Sequence, residues 1–165
     1  MSVKVLKAYE GPCLRRYEEI HDKTLRGFQN DKNKLLHSKA NRRLLEKTQV
    51  QSGPENINIR SRKSHTDEVM ANSVIISEGL GLNTPLCEAI ALGHDIGHVP
   101  YGHVGESTLS ELCGEKFRHE VFGVCVAQHI ERRGQGLNLS LPVLEGILAH
   151  SGGSGKIKTD KNQPK

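Results

Sequence analysis

From Thr84 to Gly102 the chain reads TPLCEAIALGHDIGHVPYG, an apolar run that ends on adjacent His94 and Asp95 and then breaks at Gly97, Pro100 and Gly102. Pro85 suits a first helical turn, and Leu86, Ala89, Ile90, Ala91 and Leu92 make the helix a buried one. A core helix therefore ends on a histidine and a carboxylate, and a tight loop follows. His98 comes one turn later and the loop adds His103 and Glu106, so titratable groups gather where a core of this size would otherwise be apolar.

The rest of the chain is punctuated as short helices joined by loops, which predicts an all-α fold. A helical stretch is expected from Gly11-Pro12 to about Phe28. Asp31 is expected to cap a second helix with Leu35, Leu36, Ala40, Leu44 and Leu45 on one stripe. From Thr48 to Arg62 the periodicity dissolves into a loop, with a small β-hairpin near residues 48–62 as the alternative. Ser64 and Asp67 resemble a capping box and predict a helix from His65 to about Gly79, with an apolar stripe of Val69, Ile76 and Leu80. At 100° per residue His65 falls beside that stripe and points inward. Val104 to Leu112, Phe117 to Glu131 and Leu141 to His150 read as three further helices. Past Ser151 the Gly-Gly-Ser-Gly and Lys-rich sequence reads as a flexible tail.

A length of 165 residues, 35% of them hydrophobic, fits one domain: an extension over 1–30, a core domain over 31–151 and the tail over 152–165. No stretch approaches twenty consecutive apolar residues, so no membrane span is expected. Lys4, Lys7 and Glu10 interrupt the first ten residues, which lack the continuous apolar region of a secretory signal, so a cytoplasmic protein is expected. Four cysteines without CxxC pairing read as reduced thiols. A net charge of +4 permits a phosphate-bearing partner. With aromatics at 4% and no Trp there are few platforms for stacked bases, so a nucleic acid enters only as an effector that nothing indicates.

Imidazole nitrogen and carboxylate oxygen are ligands of first-row divalent ions, and His94 and Asp95 can turn toward one ion with His65 as a third ligand. A lone His-Asp pair has a plainer reading, in which His65 is a core histidine and Asp95 a cap. The neighbouring His98, His103 and Glu106 outweigh that reading.

The segment Gly93-His94-Asp95-Ile96-Gly97-His98-Val99-Pro100-Tyr101-Gly102-His103-Val104-Gly105-Glu106 resembles the HD-domain deoxynucleoside triphosphate triphosphohydrolases, of which the dGTPases are the type members. Leu35 to Leu44, Lys47 to Val50, Arg62 to His65, Phe117 to Glu120, Leu137 to Leu139 and Gly146 to Ser151 extend the similarity. The resemblance covers roughly Asp31 to Ser151 and implies an HD-domain helical bundle. It implies His65, His94 and Asp95 as ligands of a divalent ion, with Mn, Mg, Fe, Co and Zn undistinguished. It implies a His103–Glu106 pair in which the carboxylate holds the imidazole and the imidazole orients the attacking water. It also implies His98, His119 and Arg62 at the α-phosphate and Gln49 near the deoxyribose.

Two departures stand out. Asn41 occupies a position where the family typically has an aromatic. The family's fourth ligand, an aspartate in an Ala-Asp-x-Ile-Ala-Tyr-like stretch of a later helix, has no match in these 165 residues, and Asp160 in the Lys-rich tail is no substitute. Three protein ligands are therefore expected, with a homo-oligomer or a complementing C-terminal segment as partner. The leading functional reading is metal-dependent hydrolysis of a deoxynucleoside triphosphate to deoxynucleoside and triphosphate. The alternatives are another HD-domain phosphohydrolase and a non-catalytic nucleotide- or partner-binding fragment.

Overall fold

Apolar runs of nine and ten residues, each opened by a proline, form the two helices around which the others gather. The computed structural model describes residues 11–19, 27–47 and 61–154. Its elements are α1 (Gly27–Leu36), α2 (Lys39–Arg43), α3 (Arg62–Gly79), α4 (Thr84–Gly93), α5 (Gly102–Cys113), α6 (His119–Cys125) and α7 (Leu141–Ala149). A wider π-helical turn, Val126–Ile130, continues α6, and short 3-10 turns cover Arg132–Gly134 and His150–Ser154. The described residues thus form an all-α bundle, and none of their helices is long and apolar enough to cross a membrane. Gln49 and nearly all of the alternative hairpin lie outside the described residues, as does the tail beyond 154.

The core is built from Leu35 of α1, Ala89 and Leu92 of α4, Val126 and Ala127 after α6, Leu137, and Val143 and Ile147 of α7. Each of the larger aliphatic side chains contributes roughly 1.5–3 kcal/mol when buried, so this cluster sets the arrangement. Helices α4 and α7 approach unusually closely. A Cβ on Gly93 would run into Ile147, and a Cβ on Gly146 would run into Ile90, so each helix seats its isoleucine on the other's glycine. The crossing draws together the C-terminal ends of both helices, where His94 and His150 stand.

Three expectations for the first 47 residues are corrected. Residues 11–19 are irregular, not helical. Arg15 leaves them to reach Asp31, the carbonyl of Asn138 at 2.8 Å and that of Gly27 at 2.9 Å. The backbone of Tyr17 pairs with the Asn138 amide, accepting at 2.9 Å and donating at 3.1 Å. Asp31 lies inside α1, fully buried, where it accepts the Ser140 hydroxyl at 2.6 Å as well as Arg15. Ser38 instead caps α2, accepting from the Asn41 N–H, and divides the expected long helix in two. Asn41 itself is buried, its amide donating to the Leu36 carbonyl at 3.1 Å, so the position where the resemblance implies an aromatic is a polar helix-to-helix link.

Helix α3 starts at Arg62 because Ser61, not Ser64, is its cap. Its buried side chains are Arg62, Thr66 and Ser77, while Ile76 and Leu80 of the expected stripe are more than half exposed. The hydroxyls explain the inversion. Thr66 donates to the Arg62 carbonyl at 2.9 Å, and Ser77 to the Val74 carbonyl at 3.0 Å, so burial leaves neither group unpaired. Small side chains then let α3 lie close along α4.

The 11–19 segment gives the fold an acid sensitivity. Burial alone would raise the Glu19 pKa, but hydrogen bonds from Lys34 and Asn138 and the charges of Lys34 and Arg15 hold it below the usual carboxylate value. A depressed carboxylate stabilises the fold above its unfolded pKa, and that stability is lost as pH falls through the folded one. Melting temperature should therefore decline on acidification below about pH 4.5, and Glu19→Gln should flatten that decline while lowering the neutral-pH value. Parallel melting curves across pH for both proteins check it; equal slopes would remove Glu19 from the acid response.

Candidate functional site

Asn83 caps α4 through the Leu86 N–H, and the helix delivers Ala91 to Val99 into the interior as one buried stretch. Within it Ile96 anchors the turn in the core, and the His98 N–H donates to the Asp95 carbonyl at 3.0 Å. The Lys47 ammonium donates to the His98 carbonyl, tying the turn to the chain that follows α2. Burial and the neighbouring Arg43 and Arg62 charges push the Lys47 pKa down.

Asp95 is the hub. Its Oδ2 accepts from Arg62 Nη1 at 3.1 Å, and its Oδ1 lies 3.2 Å from both His94 Nε2 and His98 Nε2. Burial alone would raise its pKa, but the His98 hydrogen bond and the charges of His94, His98 and Arg62 hold it well below the usual carboxylate range. Among the described residues two trios bring ligand atoms within 4.8 Å of one another: His65, His94 and Asp95, and Asp95, His98 and His119.

The first trio fits a cation on its donor chemistry. His94 Nδ1 donates to the Ala91 carbonyl at 2.7 Å, and burial pushes the ring's pKa down, so Nε2 offers a lone pair toward a carboxylate oxygen. Two acceptors 3.2 Å apart repel unless a cation is shared between them. The second trio is shaped differently. His98 and His119 stack at 3.8 Å with their planes 16° apart, so their in-plane nitrogens run nearly parallel instead of converging. Parallel edges suit several oxygens of one oxyanion better than a single ion.

The remaining expected residues fall around this hub. Glu106 Oε1 lies 2.9 Å from His119 Nδ1 and 3.2 Å from His98 Nδ1, yet neither Glu106 Oε1 nor His98 Nδ1 makes a hydrogen bond of proper geometry. The His103 side chain is 88% exposed, and its Nδ1 stands 3.6 Å from Glu106 Oε2. That is beyond hydrogen-bond reach, so Glu106 faces His98 and His119 more closely than His103. Burial and the His98 charge push the His119 pKa down. Arg62 is buried, with its Nε unpartnered.

Sequence reasoning passed over Lys47 and His150. His150 Nε2 lies 3.2 Å from His119 Nε2, and its ring is 5.3 Å from that of His94. The signal was available, because Leu141 to Ala149 is a second proline-opened apolar run that ends on a histidine, as Leu86 to Gly93 does.

An all-α bundle with a His-Asp pair ending its core helix is the arrangement of the HD domain, and the HD domain profile matches residues 62–163. The chain belongs to the HD domain family. Among curated proteins it is similar to the deoxyguanosinetriphosphate triphosphohydrolase-like proteins. It is 48% identical to that of Caldanaerobacter subterraneus subsp. tengcongensis over 136 residues, covering 82% of this chain and 40% of the relative. The Clostridium tetani protein is 45% identical over 142 residues, covering 86% and 41%. The Caulobacter sp. protein (strain K31) is 42% identical over 144 residues, covering 84% and 36%. The chain thus spans about two fifths of the length of these relatives.

Proposed function

We propose that the chain carries the metal- and phosphate-binding part of a phosphohydrolase that splits deoxynucleoside triphosphates, dGTP among them, into deoxynucleoside and triphosphate. The observation that carries this is the sharing of Asp95 between a trio suited to a divalent cation and a stacked histidine pair suited to an oxyanion. The names of the relatives supply the substrate class.

In this reading His65, His94 and Asp95 hold the divalent ion, which when bound supplies Lewis-acid polarisation of the phosphate and a more acidic water. Arg62 keeps Asp95 ionised and oriented. His98 and His119 present their ring edges to the α-phosphate, with Arg62 adding positive charge behind them. Gln49 serves the deoxyribose. His103, beside Glu106, orients the attacking water and accepts its proton; the bond between the α-phosphorus and O5′ breaks, and the 5′ oxygen leaves with a proton as the deoxynucleoside hydroxyl.

One observation favours the non-catalytic alternative for the isolated chain. Helix α5 carries both His103 and Glu106 yet buries none of its residues, and Tyr101, Val104 and Leu112 around it are exposed. A second copy, or a further segment such as the longer relatives have, would cover α5 and enclose His103.

Separated dGTP products, deoxyguanosine and triphosphate, test the reaction; nucleoside diphosphate or monophosphate would point to another phosphohydrolase, and dGTP binding without turnover to a binding fragment. Replacing His103 by Ala should lower kcat by roughly 100-fold or more and leave dGTP affinity within about twofold, because the residue acts on water. Calorimetric titration beside chromatographic turnover separates these effects, and an equal loss of affinity would put His103 at the substrate instead.

A further inference from the structure

The roles above leave His150 without a task, although it stands between the two trios. It follows α7, whose crossing with α4 fixes where its ring can be. Its Nδ1 lies 2.7 Å from the Ile147 carbonyl oxygen, which only accepts, so Nδ1 carries a hydrogen and donates. In the neutral ring Nε2 then offers a lone pair. That lone pair faces His119 Nε2 at 3.2 Å, so His119 Nε2–H is the donor.

For His119 this is decisive. Its Nδ1 is close to Glu106 Oε1, but that oxygen takes part in no hydrogen bond, and Glu120 Oε2 is 3.9 Å away. Among the described residues the bond to His150 is the one hydrogen bond the His119 side chain makes. Stacking on His98 fixes the plane of the ring but not which way round it stands, because a half-turn about Cβ–Cγ restores the same plane with the edges exchanged. Only a directional contact at Nε2 decides which ring edge turns to Glu106 and the site.

We propose that His150 is a positioning residue of the phosphate subsite, accepting from His119 Nε2 and so fixing which way round that ring stands against His98 and Glu106. The inference rests on the phosphohydrolase reading for the identity of the oxyanion that the subsite takes, and on this structure alone for the His119 contact. A histidine ending a helix with Nδ1 on the carbonyl three residues back can also be merely a cap. The two roles use different nitrogens, and so they separate by substitution.

His150→Gln keeps a polar atom at the Nε2 position, His150→Asn keeps one at the Nδ1 position, and His150→Phe keeps only the ring volume. In metal-free protein, nitrogen-15 spectra of the imidazole rings should show the His119 Nε2 signal moving in the Asn and Phe variants and staying near its wild-type position in the Gln variant. Inorganic triphosphate, titrated calorimetrically, should bind about five- to tenfold more weakly to the Asn and Phe variants and within about twofold of wild type to the Gln variant. Unmoved His119 signals in the Asn and Phe variants, or rescue by Asn and not by Gln, would overturn the proposal in favour of a cap. Wild-type protein that ignores triphosphate while the His119 signals move as stated would overturn the phosphohydrolase reading and leave the positioning role standing. If the Phe variant fails to fold, the contrast between Gln and Asn decides alone.

Discussion

Asp95→Ala should weaken Mn²⁺ binding by more than about 100-fold, the upper range for losing a residue that merely supports a ligand, because the proposed function puts Asp95 itself in the donor set. It should also destabilise the fold by about 3–5 kcal/mol, since truncating one partner of a buried ion pair strands the other. The stranded partner is Arg62, whose side chain is 8% exposed and whose Nε already lacks a partner. His94 and His98 lose the carboxylate oxygen they share in the same step. Asp95→Asn keeps the shape and an acceptor oxygen while removing the charge, so it should lose most of the metal affinity with a smaller stability loss. Titration calorimetry with Mn²⁺ and thermal melts of both variants check the pair of effects. Metal affinity unchanged in Asp95→Ala would remove this carboxylate from the metal centre.

Gly97→Ala should be severely destabilising. The added Cβ would run into the His119 carbonyl and the Gly123 N–H and stand 2.7 Å from Gly123 Cα, all of them backbone atoms of α6 that cannot rotate away. The turn between Asp95 and His98 therefore touches α6 main chain to main chain, and relieving the clash means lifting the turn. Overpacking of this kind costs about 3 kcal/mol or more, which corresponds to a fall of roughly 6–12 °C in Tm for a chain of this size. The same displacement separates His98 from His119 and should undo their stacking. A Tm within about 2 °C of wild type would show that the turn has more freedom than the close approach implies.

The parts of this molecule legible in its sequence are those decided locally. Pro85 and the apolar run to Gly93 define α4 without reference to anything else, and His94 and Asp95 at its end announce a polar centre. The buried face of α3 was not legible, because hydroxyls that bond within their own helix take the inside and leave Ile76 and Leu80 outside. Nor was the irregular 11–19 segment, whose conformation is set by Arg15 reaching Asp31 and Asn138, partners distant in sequence. His150 belongs to the same class: its helix is plain in the sequence, but only the crossing of α4 and α7 puts its ring beside His119.

That crossing also sets how precisely each histidine can be held. The reciprocal seating of Ile147 on Gly93 and Ile90 on Gly146 works as a fulcrum, since backbone pressed on aliphatic side chain leaves little room to slide. Measured from the contact of Gly93 with Ile147, His94 is one residue on, about 1.5 Å along the axis of α4, and His150 is three residues on, about 4.5 Å along that of α7. A rocking of α7 by about 10° on that contact would leave His94, at the end of α4, in place and carry His150 by roughly 0.8 Å, the scale on which a hydrogen bond of 3.2 Å is made or lost. His94 and Asp95 therefore sit near the still point of the crossing, and the contact between His150 and His119 sits further along the arm, where a change in how α4 and α7 pack is read first.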